Sequence, residues 1–332
     1  MATTVICGAA YGAALLAAGF HQPVAVLSQF RLENFHMLQA FLTATASSAL
    51  VYPVLERMNF VPRLQPRSSS PLLGLLTSYD GNILGGAILG AGAALASACP
   101  GTLLVQAALG VRSGAFALAG SIVGGAIWSG YIREAIKSEA GKRGVKSHVS
   151  TLQDQTGVSR EATIVLFESI CAAVVGGAAT LTDKVPWAIF SGVVSGLFLG
   201  VAQFTSLLTR KSMVGISGSY EEAGGHLAWL LKGLPSSSSS RPSAYSNIIF
   251  GASAILGAWT LNLAAPQLIS EPVGDVPSGM AFLGGLLMTI GSRMAGGCTS
   301  GHGISGLSLL STSSAVTMAS TFAAGVLVAN WL

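Results

Sequence analysis

About nine stretches of the chain are apolar for long enough to cross a bilayer as helices, given that a spanning helix needs about 20 mostly apolar residues. They are residues 3–19, 35–54, 81–97, 114–132, 162–182, 187–208, 247–264, 279–294 and 314–332. Their apolar runs are continuous rather than alternating, which predicts helices and not the strands of a β-barrel. The third and eighth are short, rich in glycine, and run directly into polar breaks. The first break is Ser97-Ala98-Cys99-Pro100-Gly101-Thr102; the second is Ala295-Gly296-Gly297-Cys298-Thr299-Ser300-Gly301-His302-Gly303. A further short apolar piece follows each, 103–110 and 304–310. That pattern predicts two re-entrant, cysteine-bearing segments, each returning as a half-helix.

Three polar loops, 56–80, 133–161 and 209–246, separate the spans. Within them 67–71 and 235–242, rich in serine and proline, have the composition of flexible linkers, and 133–161 has the mixed charges of an amphipathic helix. With nine spans, all three loops fall on one side. They carry Arg57, Arg63, Arg67, Arg133, Lys137, Lys142, Arg143, Lys146, Arg160, Arg210, Lys211, Lys232 and Arg241. The other side holds little beyond Arg31 and Lys184, with Arg112 at the edge of the first break. The excess of Lys and Arg marks the cytoplasmic side, so the N-terminus is expected inside, the C-terminus outside, and the membrane to be the plasma membrane. The two cysteine breaks then enter from opposite faces. Spans one to four and six to nine read as an inverted pair within one transport domain over 1–332, with 1–132 as the first half, 133–186 as a connector holding span five, and 187–332 as the second half. Inverted repeats with broken elements at matching positions mark transporter binding sites.

Composition agrees. Only 9% of residues are charged and 51% are hydrophobic, against roughly 25% charged in soluble domains, and the mean hydropathy is +0.64. The fold class expected is all-α, a polytopic membrane helical bundle. The net charge of +4 lies in loops between spans and sets topology, so no nucleic-acid partner is expected. The N-terminal apolar run lacks a basic leader and reads as a first span. Cys7, Cys99, Cys171 and Cys298 are too widely spaced for a zinc site or disulfide framework, and the sequence implies no metal or cofactor. Pairs such as Gly86–Gly90 and Gly120–Gly124 have the spacing of helix-packing faces.

Irregular backbone at membrane depth is tolerated where protein buries it or a wet cavity lines it. Pro100, Gly101, Gly297, Gly301 and Gly303 fit such breaks, and each cysteine falls at or just before the start of a half-helix, where free N–H groups favour an anion. A small anion between the breaks would meet two thiols, backbone N–H donors and the hydroxyls of Thr102, Thr299, Ser300 and Ser305. Cys7 and Cys171 read as buried apolar side chains, Arg293 as a residue that snorkels to the cytoplasmic interface, and His302 as either a substrate contact or a loop tie. Glu168, costly within a span, should face a neighbour or cavity. No span carries a set of acids suited to a proton relay.

The breaks at 97–102 and 296–306, with Val214-Gly215-Ile216-Ser217-Gly218, resemble the YeeE/YedE sulfur-transport family. The long serine-rich loops suggest a eukaryotic homologue. The resemblance implies a multi-spanning permease in which cysteine thiols hand thiosulfate along by hydrogen bonds to its terminal sulfur. Cys99 and Cys298 match two of the family's positions. A third family cysteine follows the first span in a Phe-Cys context, where this chain has Phe20-His21, so His21 is a candidate replacement donor. The function expected is therefore permeation of a small sulfur-containing anion, thiosulfate first, with no enzymatic step. The site residues expected are Cys99, Pro100, Gly101, Thr102, Gly297, Cys298, Thr299, Ser300, Gly301, His302, Gly303 and His21. The alternative is a membrane sulfurtransferase that takes sulfur onto a cysteine as a persulfide and passes it to a cytosolic sulfur-accepting protein.

Overall fold

The computed structural model describes residues 1–72, 78–182, 185–231, 243–271, 274 and 276–332. These residues form helices α1 (Ala2–Ala17), α2 (Pro23–Phe30), α3 (His36–Arg57), α4 (Asp80–Ala96), α5 (Thr102–Ala108), α6 (Arg112–Ile127), α7 (Arg133–Lys142), α8 (Leu152–Thr156), α9 (Arg160–Leu181), α10 (Gly192–Arg210), α11 (Ser217–Leu231), α12 (Ser246–Ala264), α13 (Ser278–Met294) and α14 (Thr312–Ala329). A π-helical turn, Trp128–Ile132, joins α6 to α7, and a π-helical segment, Ser300–Gly306, precedes α14. Among the described residues there is no β-strand beyond isolated bridges. Six helices are long and apolar enough to cross a membrane: α3, the continuous Arg112–Lys142, α9, α10, α12 and α14; α1 and α4 are apolar but shorter.

One local pattern recurs along the chain, four instances of it at Gly19, Ser97, Lys211 and Gly296. A helix ends, the next residues adopt a left-handed conformation, and the chain breaks before resuming as another helix. The left-handed residues are Gly19 (φ 78°), Ser97 (φ 47°), Lys211 (φ 56°) and Gly296 (φ 84°). The resumptions are α2, α5, α11 and the π segment. Glycine adopts this conformation freely. Ser97 and Lys211 do so at a cost of order 1–3 kcal/mol each, sustained only where the surroundings hold them.

The long helices approach closely where glycine faces a neighbour's backbone. A Cβ on Gly90 would lie 2.0 Å from the Thr321 carbonyl of α14, and one on Gly120 would lie 1.9 Å from the Phe282 carbonyl of α13. Both glycine pairs are thus packing faces, as their spacing predicted. The largest interhelix contacts are α4 with α13 and α14, α6 with α13, α1 with α12, and α3 with α10. Among the described residues α9 makes its main contact with a long helix at α3. It buries Cys171 but leaves Val165, Leu166 and Ile170 exposed, and Glu168 Oε1 is enclosed without a partner.

Hydrogen bonds gather the three polar loops at one end. Arg57 pairs with Glu161 at 3.2 Å and Arg160 with Glu56 at 2.8 Å, while Lys211 Nζ donates to the Phe60 carbonyl at 2.6 Å. The other end joins different segments: Phe35 N–H donates to Thr182 Oγ1 at 3.2 Å, and Arg31 Nε to the Ala329 carbonyl at 3.2 Å.

Two expectations need correction. The 209–246 stretch is not all loop, because α11 stands within it; Lys232 and the linker 235–242 fall outside the described residues, as does Lys184. The 67–71 stretch is no flexible linker: Ser69 N–H donates to the His148 carbonyl and Ser70 N–H to Asn82 Oδ1, both at 2.8 Å. Arg293 reaches the polar cleft beside residues of the basic loops. It forms an ion pair with Glu221 at 2.5 Å, and the same acid takes Arg133 at 2.9 Å.

Candidate functional site

Each cysteine break is braced by its own residues. Cys99 N–H donates to Thr102 Oγ1 at 2.6 Å and Thr102 N–H to Cys99 Sγ at 3.5 Å, a reciprocal pair like a capping box with sulfur as one acceptor. In the second break His302 is fully buried. Its Nε2 donates to the Ala295 carbonyl at 3.1 Å and its Nδ1 accepts from Ser314 Oγ at 2.9 Å. Both ring nitrogens are committed, so His302 ties the loop to α13 and α14. Gly303 gives its carbonyl to the Thr45 hydroxyl at 2.9 Å. Gly297 is closely packed, since a Cβ there would lie 3.0 Å from both His302 Nε2 and Arg67 Nη1.

The two breaks come together through neighbours the sequence reading did not select. Tyr220, on α11, is buried and donates its hydroxyl to the Pro100 carbonyl. Tyr11, on α1, places Oη 3.1 Å from the Cβ position of Gly101, and the Cys99 sulfur lies 3.9 Å from that same point. Both thiols and the Ser300 hydroxyl are within electrostatic reach of Tyr11. The Thr299 hydroxyl faces the Cys99 sulfur across the junction. Tyr11 Oη and Thr299 Oγ1 are buried and only loosely held, Tyr11 toward the Ser300 hydroxyl and Thr299 toward the Cys99 sulfur, without a hydrogen bond of normal geometry among the described residues. Buried polar groups usually find partners, so two such hydroxyls beside two thiols mark a place where donors gather.

Cys298 sits where two helical beginnings converge. Its sulfur lies 3.3 Å from Ser300 Oγ, and the N–H groups of Gly301, Ile216 and Ser217 are turned toward it. Gly301 belongs to the π segment, while Ile216 and Ser217 open α11. The Val214–Gly218 stretch is therefore part of the site. It is held by Ser305 Oγ, which donates to the Val214 carbonyl at 2.6 Å, and by Gln203 Oε1, which accepts from Val214 N–H at 2.9 Å.

Two hollows approach this junction. A mostly apolar cavity of about 90 Å³ between α2, α3, α4 and α14 reaches Cys99, Thr299 and Gly303. A polar cleft of about 630 Å³ reaches Gly215, Ser217 and Arg67, and holds Arg133, Arg210 and Arg293 as well. His21 lies apart from both: its Nε2 bonds the Ser270 carbonyl at 2.9 Å, on the face opposite the polar loops. Cys7, also apart, contacts Thr209 Oγ1 at 2.9 Å.

An all-helical membrane bundle whose broken segments meet at two buried thiols has the form of a permease for a small soft solute. A profile of the sulphur-transport family matches residues 18–328, and the chain belongs to that family. It is an integral-membrane sulfur transporter. A comparison with curated proteins returned no match.

Proposed function

We propose that the protein carries thiosulfate, or a closely similar sulfur anion, through the junction of the two breaks, with Cys99 and Cys298 as successive hydrogen-bond donors to the terminal sulfur. The observation that carries this reading is the gathering of neutral donors at one junction. Two thiols, the hydroxyls of Tyr11 and Thr299, and N–H groups from two helix beginnings surround Cys298 and Cys99. Such donors are neutral when the site is empty and attract an anion without gripping it, which suits passage. Gly297, Gly301 and Gly303 let backbone approach the path; Pro100, Gly101, Thr102, Ser300 and His302 keep the two loops in shape.

The reading includes nine crossings arranged as an inverted pair, 1–132 and 187–332, around the α9 connector. The packing supports this. Exchange α1 with α10, α3 with α12, α4 with α13 and α6 with α14. The α1–α12 contact then becomes α10–α3, the α4–α14 contact becomes α13–α6, and α1–α10 and α4–α13 return to themselves; all six are present. The basic loops face the cytoplasm of a plasma-membrane protein in this arrangement, and His21 lies on the outer face as an entry residue.

Uptake of labelled thiosulfate into proteoliposomes tests the proposal. Cys298→Ala and Cys99→Ala are expected to lower uptake at least about tenfold, the scale set by losing one interaction of roughly 1.4 kcal/mol at a constriction. Unchanged uptake in both variants discards the relay. A persulfide found on Cys298 by mass spectrometry after exposure to substrate replaces it with the sulfurtransferase alternative.

A further inference from the structure

Arg67 is built into the polar-loop side of the Cys298 break. Its backbone carbonyl accepts from Ser311 Oγ at 3.0 Å and Ser313 Oγ at 2.9 Å, at the head of α14. Its side chain reaches across the loop, where Nε donates to the Gly301 carbonyl and Nη1 to the Gly296 carbonyl, both at 2.7 Å. One guanidinium thus brackets the segment that carries Cys298. A guanidinium has five N–H donors, and these two bonds leave three. Nη2 stands 2.8 Å and 3.6 Å from the Cβ positions of Gly301 and Gly215, at the wall of the polar cleft.

The charge of Arg67 is uncompensated. Among the described residues its guanidinium forms no ion pair, and the acids of the cleft are occupied elsewhere. Glu221 is shared by Arg133 and Arg293. Glu222 accepts from the N–H groups of Asn247 and Ile248 at 2.9 and 3.1 Å and from the Asn247 amide at 2.5 Å. Half-buried guanidinium with spare donors and no carboxylate is the arrangement that takes up an oxyanion.

We propose that Arg67 is a positioning and charge-selecting residue: it meets the oxyanion end of the solute beside Cys298 and favours dianions over monoanions bearing the same terminal sulfur. This rests on the transport reading above and adds the residue that reads charge. The backbone donors around Cys298 cannot make that distinction sharply, because they carry only partial charges.

The test compares thiosulfate with methanethiosulfonate, a monoanion in which a methyl group replaces one oxygen, using full-length protein in liposomes. The parent is expected to prefer thiosulfate. Arg67→Gln is expected to lower thiosulfate kcat/KM about tenfold while leaving methanethiosulfonate within about threefold, since each unit of solute charge a few ångströms away is worth roughly threefold under strong screening. Arg67→Lys keeps a charge and, like glutamine, cannot bracket two carbonyls; it should retain the preference, with methanethiosulfonate lowered no more than in Arg67→Gln. Equal loss for both anions in Arg67→Gln, no loss for either, or a parent that takes up both equally, overturns the proposal. Should Arg67→Gln not fold, Arg67→Lys decides: a lost preference overturns it, and failure of both to fold makes Arg67 a strut and overturns it too. A parent that takes up no thiosulfate sinks the transport reading itself, a different and recognisable result.

Discussion

Replacing Tyr220 with phenylalanine removes one oxygen and keeps the ring, so packing is nearly conserved and the effect isolates a single bond. Tyr220 is 2% exposed, and its hydroxyl donates to the carbonyl of Pro100, one residue past Cys99. Removing a donor from a buried carbonyl costs about 1–3 kcal/mol, which is a shift of about 5- to 150-fold in the population of the braced loop. Much of that cost falls on the Cys99 loop, already strained at Ser97 (φ 47°). The fraction of molecules holding the thiol toward Thr299 drops, and apparent affinity drops with it. Expected outcomes are a thiosulfate kcat/KM lowered about tenfold and a melting temperature a few degrees lower in detergent. Tyr11→Phe is the contrast. Its Oη is held only loosely, toward the Ser300 hydroxyl, so the substitution should leave the melting temperature nearly level while still lowering uptake, because a donor to the anion is gone. If Tyr220→Phe melts and transports like the parent, the bond does not brace the loop. If the two tyrosines behave alike, the distinction between a structural and a loosely held hydroxyl at this junction is wrong.

Gly125→Leu should abolish the monodisperse folded protein on size-exclusion chromatography, because even a Cβ there would sit 2.0 Å from the Tyr220 carbonyl; a normal elution profile would show that α11 does not dock on α6 this closely. At the polar-loop end, the hydroxyl and N–H of Thr151 hold the Asp154 carboxyl below the usual carboxylate range. A depressed folded value means that this cap contributes above the unfolded pKa and is lost as pH falls through the folded one. Thr151→Ala should therefore move the Asp154 titration midpoint upward, read from its carboxyl carbon shift by NMR, and an unmoved midpoint would refute the cap.

Apolar run length found the long helices, because lipid-facing and packed surfaces are both apolar and leave the same trace. The breaks at Cys99 and Cys298 were equally plain, since glycine, proline and hydroxyls interrupt that trace. α11 was hidden for a physical reason. Glu221, Glu222 and His226 lower its hydropathy as solvated residues would, whereas Glu221 pairs with two arginines and Glu222 caps α12. Arg67 and the serines after it carry a linker's composition, and only partners far along the chain, His148, Asn82, Gly296 and Gly301, give them fixed places. Tyr11 and Tyr220 read as ordinary aromatic residues in apolar helices; nothing local to either shows that the fold sets both against the cysteine loops.

Where the charges lie explains how an anion pathway can be built from so few of them. A lysine or arginine at mid-membrane costs about 2.5–3.5 kcal/mol by insertion scales, and it does so whenever the site is empty. Backbone N–H groups at a helix beginning, thiols and hydroxyls bring partial charge without that standing cost, and they let go more readily. The chain follows this division: around Cys298 the donors are Gly301, Ile216, Ser217 and Ser300, while the guanidinium groups of Arg67, Arg133, Arg210 and Arg293 line the larger polar cleft. Full charge is placed where water can share its cost, and only partial charge where it cannot. The Cys99 side carries the division further, because the cavity reaching it is mostly apolar.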